Sequence, residues 1–487
     1  MSKKILRALL SLCTASLVFA GSVSAGEPHM KTDTDFYPYS PSLIKWDKSK
    51  ADFNAPETCG ECHPDQYEEW TASMHALAFK DPVYQGELNA AIKAVGHDIA
   101  KQCEGCHTPA AVVKGEIKGA GLTGLTPLAM AGVSCDVCHS ISCHTHWQTP
   151  YHQPENGSFI LSPGKNTEDG PVLTKYGPFT PEEGCGEDFH ECVESPLHLT
   201  SELCASCHQV FHYKTHTPLE ATYMEWKNSP YASNDIHCQD CHMVELDTFK
   251  RSADEMTRPK REEYRHYFNG ANFLLYYLTE LAAKKAGDEA LAANAHSKFE
   301  MAVGRLQAAA DVEVAPVYRD NKLAEIKVRV KNLRAGHNLP TSLTNVRQMW
   351  VEVTAKNSKG EIVMTTGTAD AKGKLPENVR LLNSDGQNEN FHFAIDPWEV
   401  QSFAKHDTIP PKGYKDLYYG ISAEKGDPLS VEVKLRYRQA DQKVAEKLLG
   451  LVPDDIHLDA IYGIKEVPIL PVVDMVSKSV MINKADS

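Results

Sequence analysis

Five segments of the chain repeat one arrangement of reactive side chains, Cys-x-x-Cys-His. They are Cys59/Cys62/His63, Cys103/Cys106/His107, Cys135/Cys138/His139, Cys204/Cys207/His208 and Cys238/Cys241/His242. Scattering 14 Cys and 22 His at random over 487 positions would give on the order of 0.02 such segments, so chance is excluded. Two thiols three residues apart stand on one helical turn and can form thioethers to both vinyl groups of one haem. The imidazole of the next residue then reaches the iron from the same side. The spacing therefore predicts five covalently attached haem c groups, with these ten Cys as attachment points and His63, His107, His139, His208 and His242 as proximal iron ligands. A zinc ribbon would need pairs of Cys pairs and no His after each second Cys. A thioredoxin-like redox pair would need a βαβ pattern around a single motif, and none is present.

Four cysteines remain. Cys13 lies in the N-terminal leader described below, where Leu12 before it does not suit lipoprotein processing. Cys185 and Cys192 bracket a short Gly-Glu-Asp-Phe-His-Glu loop with no His at the motif position, which predicts a local disulfide. Cys143 is ambiguous, because Cys138 to Cys143-His144 spells a rarer haem-attachment spacing that overlaps the third motif. The ordinary frame at Cys135 is the one expected, leaving Cys143 free or paired elsewhere.

What sits on the other face of each iron decides between carrier and catalyst. A second His closes the iron for electron transfer, and an empty face leaves it able to bind a substrate. His75 follows the first motif on an apparent helix, His198 shortly precedes the fourth, His266 precedes a long amphipathic helix, and His337 sits in Gly336-His337-Asn338-Leu339-Pro340 between two strands. These four are the leading distal candidates. Weaker ones are His97 and His152, then His144, His146, His190, His212 and His216, while His296, His392, His406 and His457 read as structural.

Several elements must position these groups. Lys3, Lys4 and Arg7 precede an apolar run from Ala8 to Ala20 and then Val23-Ser24-Ala25, which reads as a signal peptide over residues 1–25 with a mature chain starting at Gly26. No later run is long and apolar enough to span a membrane, so a periplasmic, extracellular or cell-surface location is expected. Residues 26–55 read as an extended, Pro-punctuated lead, and 56–259 as an α-rich, loop-rich multihaem cytochrome domain. Residues 260–310 read as a helical hairpin, from helical apolar spacing over 272–285 and 288–310 with Gly287 between. Alternation over 324–330, 348–354, 361–364 and 429–437 predicts an antiparallel, immunoglobulin-like β-sandwich over 311–475. Residues 476–487 are expected to form a tail.

The same residues carry a family resemblance. Cys59-x-x-Cys62-His63 followed by Tyr67, Trp70, Ser73 and His75 resembles the opening of the multihaem cytochromes related to the tetrahaem cytochrome of ammonia oxidisers and to the hydroxylamine oxidoreductase lineage, the cytochrome c-552/4 type domain. Cys103-Glu-Gly-Cys106-His107-Thr108-Pro109, Gly132-Val-Ser-Cys135-Asp-Val-Cys138-His139 and Gly177-Pro178-Phe179 are similar to later segments of its larger relatives. So is the stretch from Thr222 through Trp226 and Tyr231 to Cys238-Gln-Asp-Cys241-His242-Met243. The resemblance covers about residues 56 to 345. It implies haems stacked closely enough for rapid transfer, and it implies His75, His198, His266 and His337 as distal ligands. One departure is Ser229-Pro230-Tyr231 in the Trp226 unit, where no ligand can be carried over.

The net charge of -15 argues against nucleic acid and anionic membranes as partners and suits redox partner proteins. An electron-transfer cytochrome of a respiratory chain is the leading expectation, with largely or wholly low-spin irons. An oxidoreductase of nitrogen or sulfur oxides with one open haem is the alternative, although no Cys-x-x-Cys-Lys occurs and no Tyr can be assigned a cross-linking role. A subunit of a conducting filament, associating through the C-terminal sandwich, is a third class.

Overall fold

The computed structural model describes residues 44–47 and 51–482, apart from 118, 150, 188, 261–263, 321 and 422–427. The expected signal peptide, Cys13 and most of the lead segment lie outside the described residues. No helix among the described residues is long and apolar enough to cross a membrane.

From Pro56 to Glu255 the chain is broken into short pieces. Pro56, Pro64, Pro82, Pro109, Pro127 and Pro230 each open a helix. Proline suits the first helical position and cannot continue the helix before it, so each one both starts a turn and ends its predecessor. The longest of these helices, Pro82–Val95, has 14 residues, whereas Met74–Leu77, which carries His75, has four. That short turn is held by Ser73, whose hydroxyl accepts a hydrogen bond from the Ala76 N–H at 3.2 Å. After the fourth motif a small antiparallel hairpin, β1 (Val210–Phe211) and β2 (Pro218–Glu220), sets Val210 opposite Glu220.

Two longer helices follow, α1 (Leu274–Ala286) and α2 (Glu289–Ala309). Gly287, at φ 76°, takes the left-handed turn that ends α1, and the Asp288 carboxylate accepts the Leu291 N–H at 2.9 Å to start α2. The chain then enters two antiparallel sheets. One runs β7-β4-β3, from β3 (Ala310–Arg319), β4 (Lys322–Asn332) and β7 (Tyr414–Gly420). The other runs β6-β5-β8-β9, from β5 (Gln348–Lys356), β6 (Ile362–Thr366), β8 (Leu429–Arg438) and β9 (Val473–Ile482).

Alternate residues of these strands meet in one core, with Ile326, Val328 and Val330 on one side and Val351, Val353, Val431, Val433 and Leu435 on the other. Phe273, Tyr276, Ala302 and Leu306 of the helical segment join it.

The C-terminal region departs from alternating strands in one respect. Helices Gln442–Leu449 and Leu458–Tyr462 lie within it. Ala445, Leu448 and Leu449 are buried at helical spacing, and the helix lies on Pro82–Val95 so closely that a β-carbon on Gly86 would come within 1.9 Å of the Leu448 carbonyl oxygen. The Asn89 amide donates to the Leu451 carbonyl at 2.7 Å across the same contact. Strand β9 also runs to Ile482, past the expected start of the tail at 476, because Val476 and Val480 continue the alternation onto the core.

Candidate haem-binding site

The motifs are one-turn structures. The His63, His208 and His242 N–H groups each donate to the carbonyl of the first Cys of their own motif at 2.9 Å, and the second and third motifs lie on the helices Asp98–His107 and Cys135–His139. All ten motif Cys and all five motif His line one continuous cavity of ≈ 2380 Å³. An ordinary ligand pocket occupies about 300–1,000 Å³. Thiols of different motifs lie near one another within it: Cys59 near Cys135, Cys207 near Cys106, and Cys204 near Cys238.

Four of the motif imidazoles are fixed by their Nδ1. It bonds the Ala78 carbonyl at 2.9 Å in His107, the Tyr176 carbonyl at 2.7 Å in His139, and the Asn269 carbonyl at 2.7 Å in His242. In His208 it bonds a Glu220 carboxylate oxygen at 3.3 Å. Pinning Nδ1 sets the ring's tautomer and leaves Nε2 as the lone-pair donor, the usual arrangement of a ligating His.

Second imidazoles stand opposite three of them. An imidazole nitrogen binds a first-row metal at about 2 Å, so two imidazoles on opposite sides of one ion put their ring centroids about 6 Å apart. His75 and His208 are 6.2 Å apart, and His242 and His337 are 6.2 Å apart with rings 17° from parallel. His139 faces two rings, His198 at 6.0 Å and His266 at 6.3 Å. Of these two, His198 already holds its Nε2 3.0 Å from the Cys138 carbonyl.

Burial, and then neighbouring positive charge, pulls His75 and His242 down to about 3 and His198 and His266 to about 4. All four are therefore neutral at ordinary pH, the form that can ligate. The buried Nδ1 atoms of His75, His198 and His266 have no hydrogen-bond partner.

His337 is held more firmly than its turn suggested. Its Nδ1 bonds the Asn338 carbonyl at 2.9 Å, the Asn332 amide donates to its carbonyl at 2.8 Å, and the Asn338 N–H donates to Glu225 at 3.1 Å.

The remaining candidates separate clearly. His97 and His152 are exposed and lie away from the cavity. His97 sits at the start of the helix Asp98–His107, and His152 takes a left-handed turn conformation at φ 53°. Neither faces a motif imidazole, so the structure does not bring them into the site. His144 and His146 stack on each other at 4.0 Å outside it, and His216 pairs with Glu155 at 2.9 Å. His212 reaches the cavity wall, but its Nε2 is engaged by the Trp398 carbonyl at 3.0 Å. His190 lines the cavity on the loop closed by the Cys185–Cys192 disulfide.

Two residues the sequence did not single out also belong here: Glu220, and Tyr84, whose ring stacks on His107 at 3.8 Å. Among the described residues no second imidazole stands about 6 Å from His63 or His107.

Thiol pairs on helical turns, Nδ1-anchored imidazoles and opposing imidazoles around one large apolar-walled space are the donor set of covalently bound haems, and the residues present fit that group. The fold and site define a multihaem c-type cytochrome. Residues 58–140 match the family described as cytochrome c554 and c-prime, and the chain is related to that family.

It is 27% identical to cytochrome c-554 of Nitrosomonas europaea over 172 residues, 32% of this chain and 58% of that protein. It is 51% identical to the dissimilatory sulfite reductase MccA of Wolinella succinogenes over 37 residues, 8% of this chain and 5% of that protein. The chain thus spans less than two thirds of either curated relative. Its fold is similar to the crystal structure of a penta-heme cytochrome c552 from Thermochromatium tepidum, with TM-score 0.59 and 19% identity, covering 88% of this chain and 99% of that one.

Proposed function

We propose that the chain is an exported pentahaem c-type cytochrome that passes electrons between redox partner proteins, in the periplasm or at the cell exterior, as part of a respiratory chain. The observation that carries this reading is the set of imidazole pairs about 6 Å apart, His75 with His208, His337 with His242, and His198 or His266 with His139. Such pairs hold an iron closed on both faces, the state suited to outer-sphere transfer. Haem c, when bound, supplies a one-electron iron couple. The chain's own residues attach, orient and space five of them through Cys59, Cys62, Cys103, Cys106, Cys135, Cys138, Cys204, Cys207, Cys238 and Cys241.

The neighbouring thiols suggest the order of transfer: the first motif adjoins the third, and the fourth adjoins both the second and the fifth. The haem-carrying unit is taken as residues 56–259 and the helical hairpin as 260–310. Seven of the strands from Ala310 onward split three and four across one core, with Ser384–Gln387 and Ser402–His406 as a separate pair, which supports an immunoglobulin-like sandwich. That sandwich supplies His337. The signal-peptide pattern over 1–25 supports the location.

Intact-mass measurement should exceed the polypeptide from Gly26 by five haem masses, and electron paramagnetic resonance should show a majority of low-spin irons. His337→Ala should leave five haems while one centre newly binds carbon monoxide. A mutant whose carbon monoxide uptake equals the parent's removes His337 from the ligand set, and a mostly high-spin parent that turns over nitrite, hydroxylamine or sulfite defeats the carrier reading.

One observation favours a second reading, an oxidoreductase of nitrogen or sulfur oxides. His107 has no opposing imidazole among the described residues, and Asp81 and Glu87 line the same cavity. Burial first of all pushes these two acids up, to about 6 and about 7 respectively. An iron left open at that motif, in a cavity lined by acids able to hold protons, would be suited to reducing a small oxyanion.

A further inference from the structure

The Nδ1 anchors of the motif imidazoles are not all of one kind. His107, His139 and His242 rest on neutral backbone carbonyls. His208 alone among these four rests on a carboxylate, that of Glu220. The hairpin places it there: the chain leaves His208, runs through β1, turns, and returns on β2 with Glu220 directly across from Val210. The Glu220 side chain is only 15% exposed, and Ser342 and Arg347, from the segment that follows His337, lie near it. The carboxylate is thus wedged between the fourth motif and the β-rich region, with little freedom to turn away. Across from His208, the His75 Nδ1 has no hydrogen-bond partner among the described residues.

A hydrogen bond from Nδ1–H to a carboxylate is stronger than one to a carbonyl. It draws the proton off the ring, makes Nε2 a better electron donor, and so stabilises the ferric over the ferrous state of an iron bound there. We propose that Glu220 is a positioning residue that sets the reduction potential of the fourth-motif centre below those of the centres whose histidines rest on backbone carbonyls. The proposal rests on the reading that this motif carries a haem with His208 as ligand.

Its place gives the tuning a use. The fourth motif lies beside the second, with Cys207 near Cys106, and beside the fifth, with Cys204 near Cys238. A low-potential centre at that junction gives up its electron to either neighbour faster than it regains one, so electrons cross the junction and come to rest on the branches.

The test is a spectropotentiometric titration of the haem-loaded protein and of Glu220→Gln, with haem number from intact mass and ligation from electron paramagnetic resonance. Glu220→Gln keeps the side-chain shape and a neutral acceptor for the Nδ1–H. The expected result is five haems in both proteins, one midpoint displaced upward in the variant and the other four unmoved. In the parent, one low-spin signal should show the compressed g-spread of an imidazolate-like ligand, and it should be absent from the variant.

Five haems with unchanged midpoints, or a uniform shift of all five, overturns the proposal while leaving the haem assignment intact. A fourth motif without haem in the parent overturns the assignment and the proposal together. Should the variant fail to fold, the parent's own spectrum decides: five signals of ordinary neutral-imidazole type overturn the proposal.

Discussion

The haem-motif region and the β-rich region solve the same problem with different materials. In the β-rich region the chain buries its own side chains: Ile326, Val328, Val431, Val433 and Leu435 interdigitate with no exposure at all. In the motif region short helices ring a cavity of ≈ 2380 Å³ whose walls include Phe159, Phe211, Tyr223, Trp226 and Tyr231. These side chains already pack on their neighbours, Tyr223, Trp226 and Tyr231 in one cluster and Phe159 in another, and together they surround a space large enough for porphyrins to fill. One region therefore closes on its own side chains, and the other closes around a space that a covalent ligand would fill.

The largest effect should come from withholding that ligand. Chain produced in a host that attaches no haem should lose the whole region 56–259 to limited proteolysis while the strands from Ala310 to Ile482 survive as a resistant fragment. A haem-free protein equally resistant throughout would erase the distinction between the regions. Leu435→Ala probes the other side, since it removes a fully buried side chain from β8. A loss of about 2–5 kcal/mol in chemical denaturation of the β-rich region is expected, with the haem spectrum unchanged.

Gly86→Val tests the seam between the two. Its side chain would drive into the Leu448 carbonyl, and a destabilisation of about 1–3 kcal/mol is expected. It should be read out as earlier release of the C-terminal helix in hydrogen exchange. The smallest change is Asp288→Ala, which deletes the cap of α2 at the Leu291 N–H. It should cost about 1 kcal/mol in thermal or denaturant unfolding and leave the irons alone.

Legibility in the sequence follows the range of the interaction. A Cys-x-x-Cys-His turn is decided within five residues, and so is a cap such as Asp288, which is why the motifs and the helices α1 and α2 could be read directly. The strands β4, β5, β6 and β8 announce themselves by alternation. Strand β3 does not, because it leaves the alanine-rich end of α2 without a turn signal, and helix Gln442–Leu449 was hidden because its apolar face matches a partner far away in the chain.

The pairing of histidines was opaque for the same reason. His75 follows the first motif in sequence yet faces His208 of the fourth, and nothing local tells an imidazole which iron it will meet. His97 and His152, chosen for nearness to a motif, are exposed on the surface. Glu220 carries no signal of its own, since only the register of a two-stranded hairpin brings it to His208.

The contact of Pro82–Val95 with Gln442–Leu451 has a consequence for how the molecule is made. Asn89 and Leu451, joined by one hydrogen bond, are 362 residues apart in the chain. The Asp455 carboxylate likewise receives the N–H groups of Leu122 and Thr123, at 2.7 and 2.6 Å. One wall of the cavity, built around Asn89, is thus completed only by residues 362 positions further along the chain. Contacts of such long range form late in folding, because the loop between them must first be closed. Until the segment around Leu451 is made, the cavity stands open along that wall to an incoming cofactor, and that segment then shuts it.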